Sequence, residues 1–179
     1  MKYQNRIGPD LRRQRGAILV TSLLLLLSLT VIGVSVVQIT RMQERMAGNT
    51  RDLNLAFQGA EAGLRDGEDF LLNAIAVVPC VAAPCEVFAR GTLPLLANQD
   101  EAWWNGNSLE YGVDGAQELT ELDDDPQFVV EQLAQIEDSL IQGQGVPPVR
   151  DFFQVTARST GGTGFTNVLV QSTYATRID

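Results

Sequence analysis

Residues 17–37 read AILVTSLLLLLSLTVIGVSVV. These 21 positions carry no charge. A helix of that length rises roughly 30 Å, the thickness of a bilayer's hydrocarbon core. The stretch abuts a basic leader in which Lys2, Arg6, Arg12, Arg13 and Arg15 precede Gly16. Beyond the stretch, Arg41, Glu44 and Arg45 leave a net of only +1. Basic flanks stay on the cytoplasmic side, so the asymmetry predicts the N-terminus inside and the C-terminal part outside. An ordinary secretory signal has an apolar region of about 7–15 residues that ends at a small-x-small site. Here the run is longer, and Ala47-Gly48 lies beyond a charged segment. Two readings stand: an uncleaved single-pass anchor, or cleavage between Gly16 and Ala17 that keeps the apolar helix as the new N-terminus.

The helical pattern continues past Val37. Leu53, Phe57, Ala60, Leu64, Gly67 and Leu71 follow one another at intervals of 4, 3, 4, 3 and 4. Such spacing predicts a heptad-like buried stripe. Asp52, Glu61, Arg65, Glu68 and Asp69 fall largely off it, and Pro79 marks a stop. One helix over residues 17–73 is expected, about 85 Å long at 1.5 Å per residue. It would be apolar all round over 17–37 and amphipathic over 38–73. Gly33, Gly48, Gly59, Gly63 and Gly67 each cost such a helix about 1 kcal/mol against alanine. Either the helix breaks near Gly48-Asn49, or the small residues serve close helix approach.

The 179 residues include 13 basic and 22 acidic ones. Five basic residues and one acid (Asp10) lie in 1–16, which leaves 8 and 21, a net of −13, in the remainder. That balance repels nucleic acid. There is no histidine for acid–base work or metal binding, and no glycine-rich loop precedes a helix, so the sequence predicts neither an enzyme nor a cofactor or metal site. Cys80 and Cys85 have four residues between them in CVAAPC. In a domain outside the cytoplasm this spacing predicts a local disulfide, the alternative being two separate thiols.

Two stretches carry a family resemblance. RQRGAILVTSLLLLLSLTVIGVSVV (13–37) followed by RMQERMAGNTRDLNLAFQGAEAGL (41–64) resembles the N-terminal region of type IV pilus minor pilins of the PilX type. FFQVTARSTGGTGFTNVLVQSTYATR (152–177) is similar to the end of that family. Residues 73–150 show no pattern that can be placed. The resemblance implies an α+β, pilin-like fold: a long N-terminal helix packed on a small antiparallel sheet head formed by residues 74–179. It implies a leader, residues 1–16, cut after Gly16 by prepilin peptidase, with Ala17 then N-methylated; most pilins have phenylalanine there. Major pilins have glutamate at the fifth position after the cut, and this chain has Thr21. In the related K-type pseudopilins of type II secretion, absence of that acid goes with a tip position. The implied partners are other minor pilins, the major pilin, the inner-membrane assembly platform, prepilin peptidase and a tip adhesin. The implied location is the inner membrane before assembly and the pilus tip after it. A single-pass protein with a periplasmic ligand-binding domain and a type II secretion pseudopilin remain as alternatives.

The end of the chain reads as strands. Phe153, Val155 and Ala157 alternate with Gln154, Thr156 and Arg158, while Val168, Val170, Ser172 and Tyr174 share a face. Gly161-Gly162-Thr163-Gly164 supplies a turn between the two runs. Residues 126–133 read as a third strand and 142–148 as a loop. Glu118, Glu121, Asp123, Asp124 and Asp125 form an acidic run, which is read as a solvated loop; the alternative is a calcium site. Trp103 and Trp104, read on a strand, would face opposite sides, with one in the core.

Overall fold

The structure is a computed structural model and describes residues 15–74, 77–112, 119–137 and 149–178. The leader's first fourteen residues, Glu118 and the loop expected over 142–148 lie outside the described residues. A long helix, α1 (Arg15–Asn73), continues through Gly48 and Asn49 without a break. The chain divides into two units between those same two residues.

In the first unit, every residue of α1 from Gly16 to Gly48 is exposed, including Ile18, Leu23, Leu26 and Ile32. A helix that is apolar all round needs either a protein core or lipid around it, and this exposed part of α1 includes a stretch long and apolar enough to cross a bilayer. Its hydroxyls turn back onto the helix. Ser28 donates to the Leu24 carbonyl at 2.9 Å, Ser35 to Val31 at 2.9 Å and Thr40 to Val36 at 3.0 Å. Lipid offers such groups no water, so the backbone is the partner at hand.

The second unit is the head, where α1 lies on a sheet. After α1 come β1 (Val87–Phe88), a single 3-10 turn (Leu96–Asn98), α2 (Glu101–Asn107), β2 (Leu109–Glu110), β3 (Gln127–Glu137), β4 (Val149–Thr160) and β5 (Asn167–Ile178). β3, β4 and β5 form an antiparallel meander, with Val130 opposite Val155 and Val155 opposite Ser172. β2 pairs antiparallel with β3, whereas β1 pairs parallel with it. The head sheet is thus mixed where an all-antiparallel one was expected. The difference lies in a two-residue strand that no sequence period can reveal. The expected third strand and the C-terminal hairpin are both present.

Both faces of the sheet are covered. On the α1 side, Phe128, Val130, Phe153, Val155 and Ala157 form one core with Leu71, and Leu64 and Phe70 pack against it. On the other side, Val129 joins Phe88 and Trp104 in a second core. Three consecutive buried residues, Phe128 to Val130, mark a strand enclosed on both faces.

The buried line of α1 differs in phase from the expected stripe. Ala60, Gly67 and Leu71 are buried as expected, and Leu64 is half-buried. Leu53 and Phe57, however, are 51% and 46% exposed. The buried positions are Asp52, Ala56, Gly59, Ala60, Gly63, Gly67 and Leu71. The reason is close approach. A Cβ on Gly67 would stand 2.6 Å from Val155 Cγ1 and 2.9 Å from Phe128 Cδ2, and one on Gly63 would stand 3.0 Å from Pro126 Cβ. The sheet occupies the space that large side chains would need, so small residues take the inner line and the large ones are displaced to its flank.

Candidate functional site

Two regions bear on function: the start of α1, and the attachment of α1 to the end of the chain. At the first, Gly16 and Ala17 lie in the opening turn of α1 and are exposed. Thr21 lies one turn on. Its hydroxyl donates to the carbonyls of Ala17 and Ile18, both at 3.0 Å. The side chain is therefore neutral and directed at its own helix, where a carboxylate would carry an uncompensated charge into lipid.

The second region centres on Asp52, which was expected off the buried stripe and is only 7% exposed. Its carboxylate accepts from the Thr163 N–H at 3.0 Å, from the Thr163 hydroxyl at 2.8 Å and from the Thr166 hydroxyl. These donors belong to the turn between β4 and β5. The Thr166 hydroxyl above all, then the Thr163 hydroxyl, hold the Asp52 carboxyl below its ordinary 3.8, against the desolvation that raises it. A Cβ on Gly161 would collide with that carboxylate, so only glycine leaves room for it. Further up, Ser172 of β5 donates to Glu68 at 2.7 Å, and Asp66 accepts from the Gly112 N–H at 2.9 Å. Glu68, also expected off the stripe, is half-buried through this contact. One signal could have found Asp52. The small-residue line Gly67, Gly63, Gly59/Ala60, Ala56 leads back to it in steps of three or four.

Cys80 and Cys85 form a disulfide with Cα atoms 6.0 Å apart. Cys80 also bridges to the sheet: its N–H donates to Val87 at 2.9 Å, and its carbonyl accepts from Ala89 at 2.8 Å. The two tryptophans lie on helix α2, not on a strand. Asp100 caps that helix by accepting from the Trp103 N–H at 2.9 Å. Trp104 is core, and Trp103 meets it edge-on with ring centroids 5.6 Å apart. The Arg158 guanidinium lies 5.7 Å from the Trp104 ring centroid. In the acidic run, Asp125 accepts from the Leu119 N–H at 2.9 Å, while Glu121, Asp123 and Asp124 are exposed. Among the described residues, no group of three or more histidine, cysteine, aspartate or glutamate side chains is placed to hold a metal ion.

A lipid-compatible helix that runs on into a small α+β head defines a membrane-anchored, pilin-like subunit. The family model for the PilX N-terminal region matches residues 15–65, and that for the type IV pilus assembly protein PilX C-terminal region matches residues 59–176. The chain belongs to the PilX family of type IV pilus assembly proteins, which are structural components and not enzymes. No curated protein and no solved structure matches it.

Proposed function

We propose that this pilus assembly protein is a minor pilin that primes filament formation and resides in a complex at the pilus tip. In this reading residues 1–16 are a leader removed by prepilin peptidase, and Ala17 becomes the methylated N-terminus. Residues 17–37 hold the subunit in the inner membrane and later in the filament core. Residues 38–73 join that segment to the head, residues 74–179, on the periplasmic side. The partners are other minor pilins, the major pilin, the assembly platform and a tip adhesin.

The observation that carries the tip assignment is Thr21. Its hydroxyl is taken up by Ala17 and Ile18 of its own helix. A subunit without a carboxylate there has no charge to offer a terminal amine above it, yet its own amine can still serve a neighbour below. The position with no subunit above is the tip.

Intact mass of the protein from cells with and without prepilin peptidase tests the processing. A chain beginning at Ala17 only when the peptidase is present is expected, and a chain that keeps Met1 in both would overturn the reading. For the tip assignment, Thr21→Glu is expected to move the subunit into the shaft, scored by immunogold labelling. Unchanged location would count against the charge argument.

A further inference from the structure

Strand β5 ends the sheet on one side. The strand order is β1-β3-β4-β5, and among the described residues only β4 pairs with β5. Twelve residues therefore present a second line of N–H and C=O groups to their surroundings. Edges of that length are ordinarily blunted by a proline, a bulge or charged side chains. β5 has no proline, pairs with β4 without a register shift and carries Arg177 as its one charge.

The same edge runs beside an exposed apolar row on α1. Asp52 accepts from Thr166 and Glu68 from Ser172, so α1 and β5 run in the same sense. The step from Asp52 to Glu68 rises about 24 Å and that from Thr166 to Ser172 about 20 Å, so the two elements lie nearly alongside each other. Leu53, Phe57, Leu64 and Glu68 follow at intervals of 4, 7 and 4, a single row on the helix, and Glu68 fixes that row on the β5 side. Interpolation sets Phe57 level with Val168. Val168, Val170, Ser172 and Tyr174 share the face turned to α1, and all four are half-buried. Uncovered backbone groups and the exposed side chains of Leu53 and Phe57 thus follow one line. A helix laid there would cover the side chains and leave the edge of β5 unpaired, whereas a strand satisfies both.

Charge selects the source of that strand. Residues 49–179, the unit that forms the head, hold 6 basic and 20 acidic residues, a net of −14. Glu61, one turn beyond Phe57, is exposed. A second copy would bring the same −14 against it, and its own β5 has no run of basic residues to offset that repulsion. A segment carrying lysine or arginine meets a favourable field instead.

We propose that the free edge of β5 and the Leu53–Phe57 row form a strand-docking site for an extended, basic segment of a different protein. The segment's backbone pairs with β5, its alternate apolar side chains cover Phe57 and Leu53, and its lysines or arginines face the acidic head. The site lies wholly in the head and does not rest on the tip assignment.

Binding of synthetic peptides of about nine residues to the full chain in dodecyl maltoside micelles, read by fluorescence anisotropy, tests it. The lead peptide alternates valine with lysine or threonine, a second has glutamate for lysine, and a third is the lead peptide N-methylated at every amide. The lead peptide is expected to bind, and the other two at least about tenfold more weakly. Phe57→Ser should weaken the lead peptide about fivefold, while Val81→Ser, equally apolar and exposed but in the disulfide loop, should leave it within about twofold. Should Phe57→Ser unfold the head, Leu53→Ser takes its place. Hydrogen exchange of residues 168–176 should slow when the lead peptide is present. No binding at about 1 mM peptide would overturn the site. Equal binding of the N-methylated peptide, or no effect of the Phe57 and Leu53 variants, would overturn the strand, and equal binding of the glutamate peptide the choice of a basic segment. Self-association of the full chain that Phe57→Ser abolishes, seen by sedimentation, would assign the edge to a second copy and reject the proposal.

Discussion

Replacing Gly67 by alanine sets two known effects against each other. Gly67 lies in the helix interior, so alanine should favour the helix by about 1 kcal/mol. Its added Cβ would stand 2.6 Å from Val155 Cγ1, 2.9 Å from Phe128 Cδ2 and 3.3 Å from Phe128 Cε2. Neither neighbour has room to retreat, since both are 0% exposed. Each is also held in register by the β3–β4 ladder, where Phe128 faces Ala157 and Val155 faces Val130. Overpacking of a close-packed core costs about 1–3 kcal/mol. The net is a destabilisation of up to about 2 kcal/mol once the helix gain is taken off. For a unit the size of this head, that lowers the unfolding midpoint by up to about 8 °C. Gly48→Ala is the internal control, because nothing lies within 4 Å of a Cβ there and only the propensity gain remains. Thermal unfolding of the full chain in detergent, followed by near-ultraviolet circular dichroism of the tryptophans, reads the Gly67 effect. A raised midpoint in Gly67→Ala would refute the reasoning, for it would mean that the sheet yields freely and that the small-residue line is not set by close approach.

Phe128→Ala empties the centre of the core shared by α1 and the sheet, where Phe128 also meets the Phe70 ring at 6.4 Å between centroids. A loss of about 3–5 kcal/mol is expected by denaturant titration. Reduction of Cys80–Cys85 removes a short loop constraint, and a loss of up to about 2 kcal/mol is expected in paired melts with and without reductant. The Asp52 carboxyl is held below its ordinary 3.8 in the folded state. Its ionised form therefore contributes stability above that value, and the contribution fades as pH falls through the lowered one. The gap in melting temperature between the unaltered protein and Asp52→Asn should accordingly be open at pH 6 and close below about pH 3.8.

The long helix and the C-terminal hairpin were legible because their patterns are long and unambiguous. Twenty-one uncharged residues admit few structures, and a period of two between Phe153 and Ala157 marks a strand. The stripe on α1 was misread at Leu53 and Phe57 because periodicity assumes that large apolar residues point inward. Where side chains of the sheet press on the helix backbone, glycine and alanine do so instead, and a hydrophobicity pattern counts them for little. Trp103 and Trp104 lie on a helix for a reason the sequence did contain: Asp100 followed by Glu101 is a helix start. The two-residue strands β1 and β2 carry no period at all. Asp52 was missed because a charged residue in an amphipathic helix is assigned to water by default, and its donors lie 111 and 114 residues away in the chain.

Those separations have a consequence for synthesis. A nascent chain emerges from the ribosome N-terminus first, so α1 is available to the bilayer long before Thr163, Thr166 and Ser172 exist. The acceptors on Asp52 and Glu68 must wait for the final stretch of translation, and β4 keeps an open hydrogen-bonding edge until β5 is made. Insertion and head closure are thereby ordered in time, and a premature stop anywhere after β4 would yield an anchored polypeptide whose sticky edge invites aggregation or proteolysis.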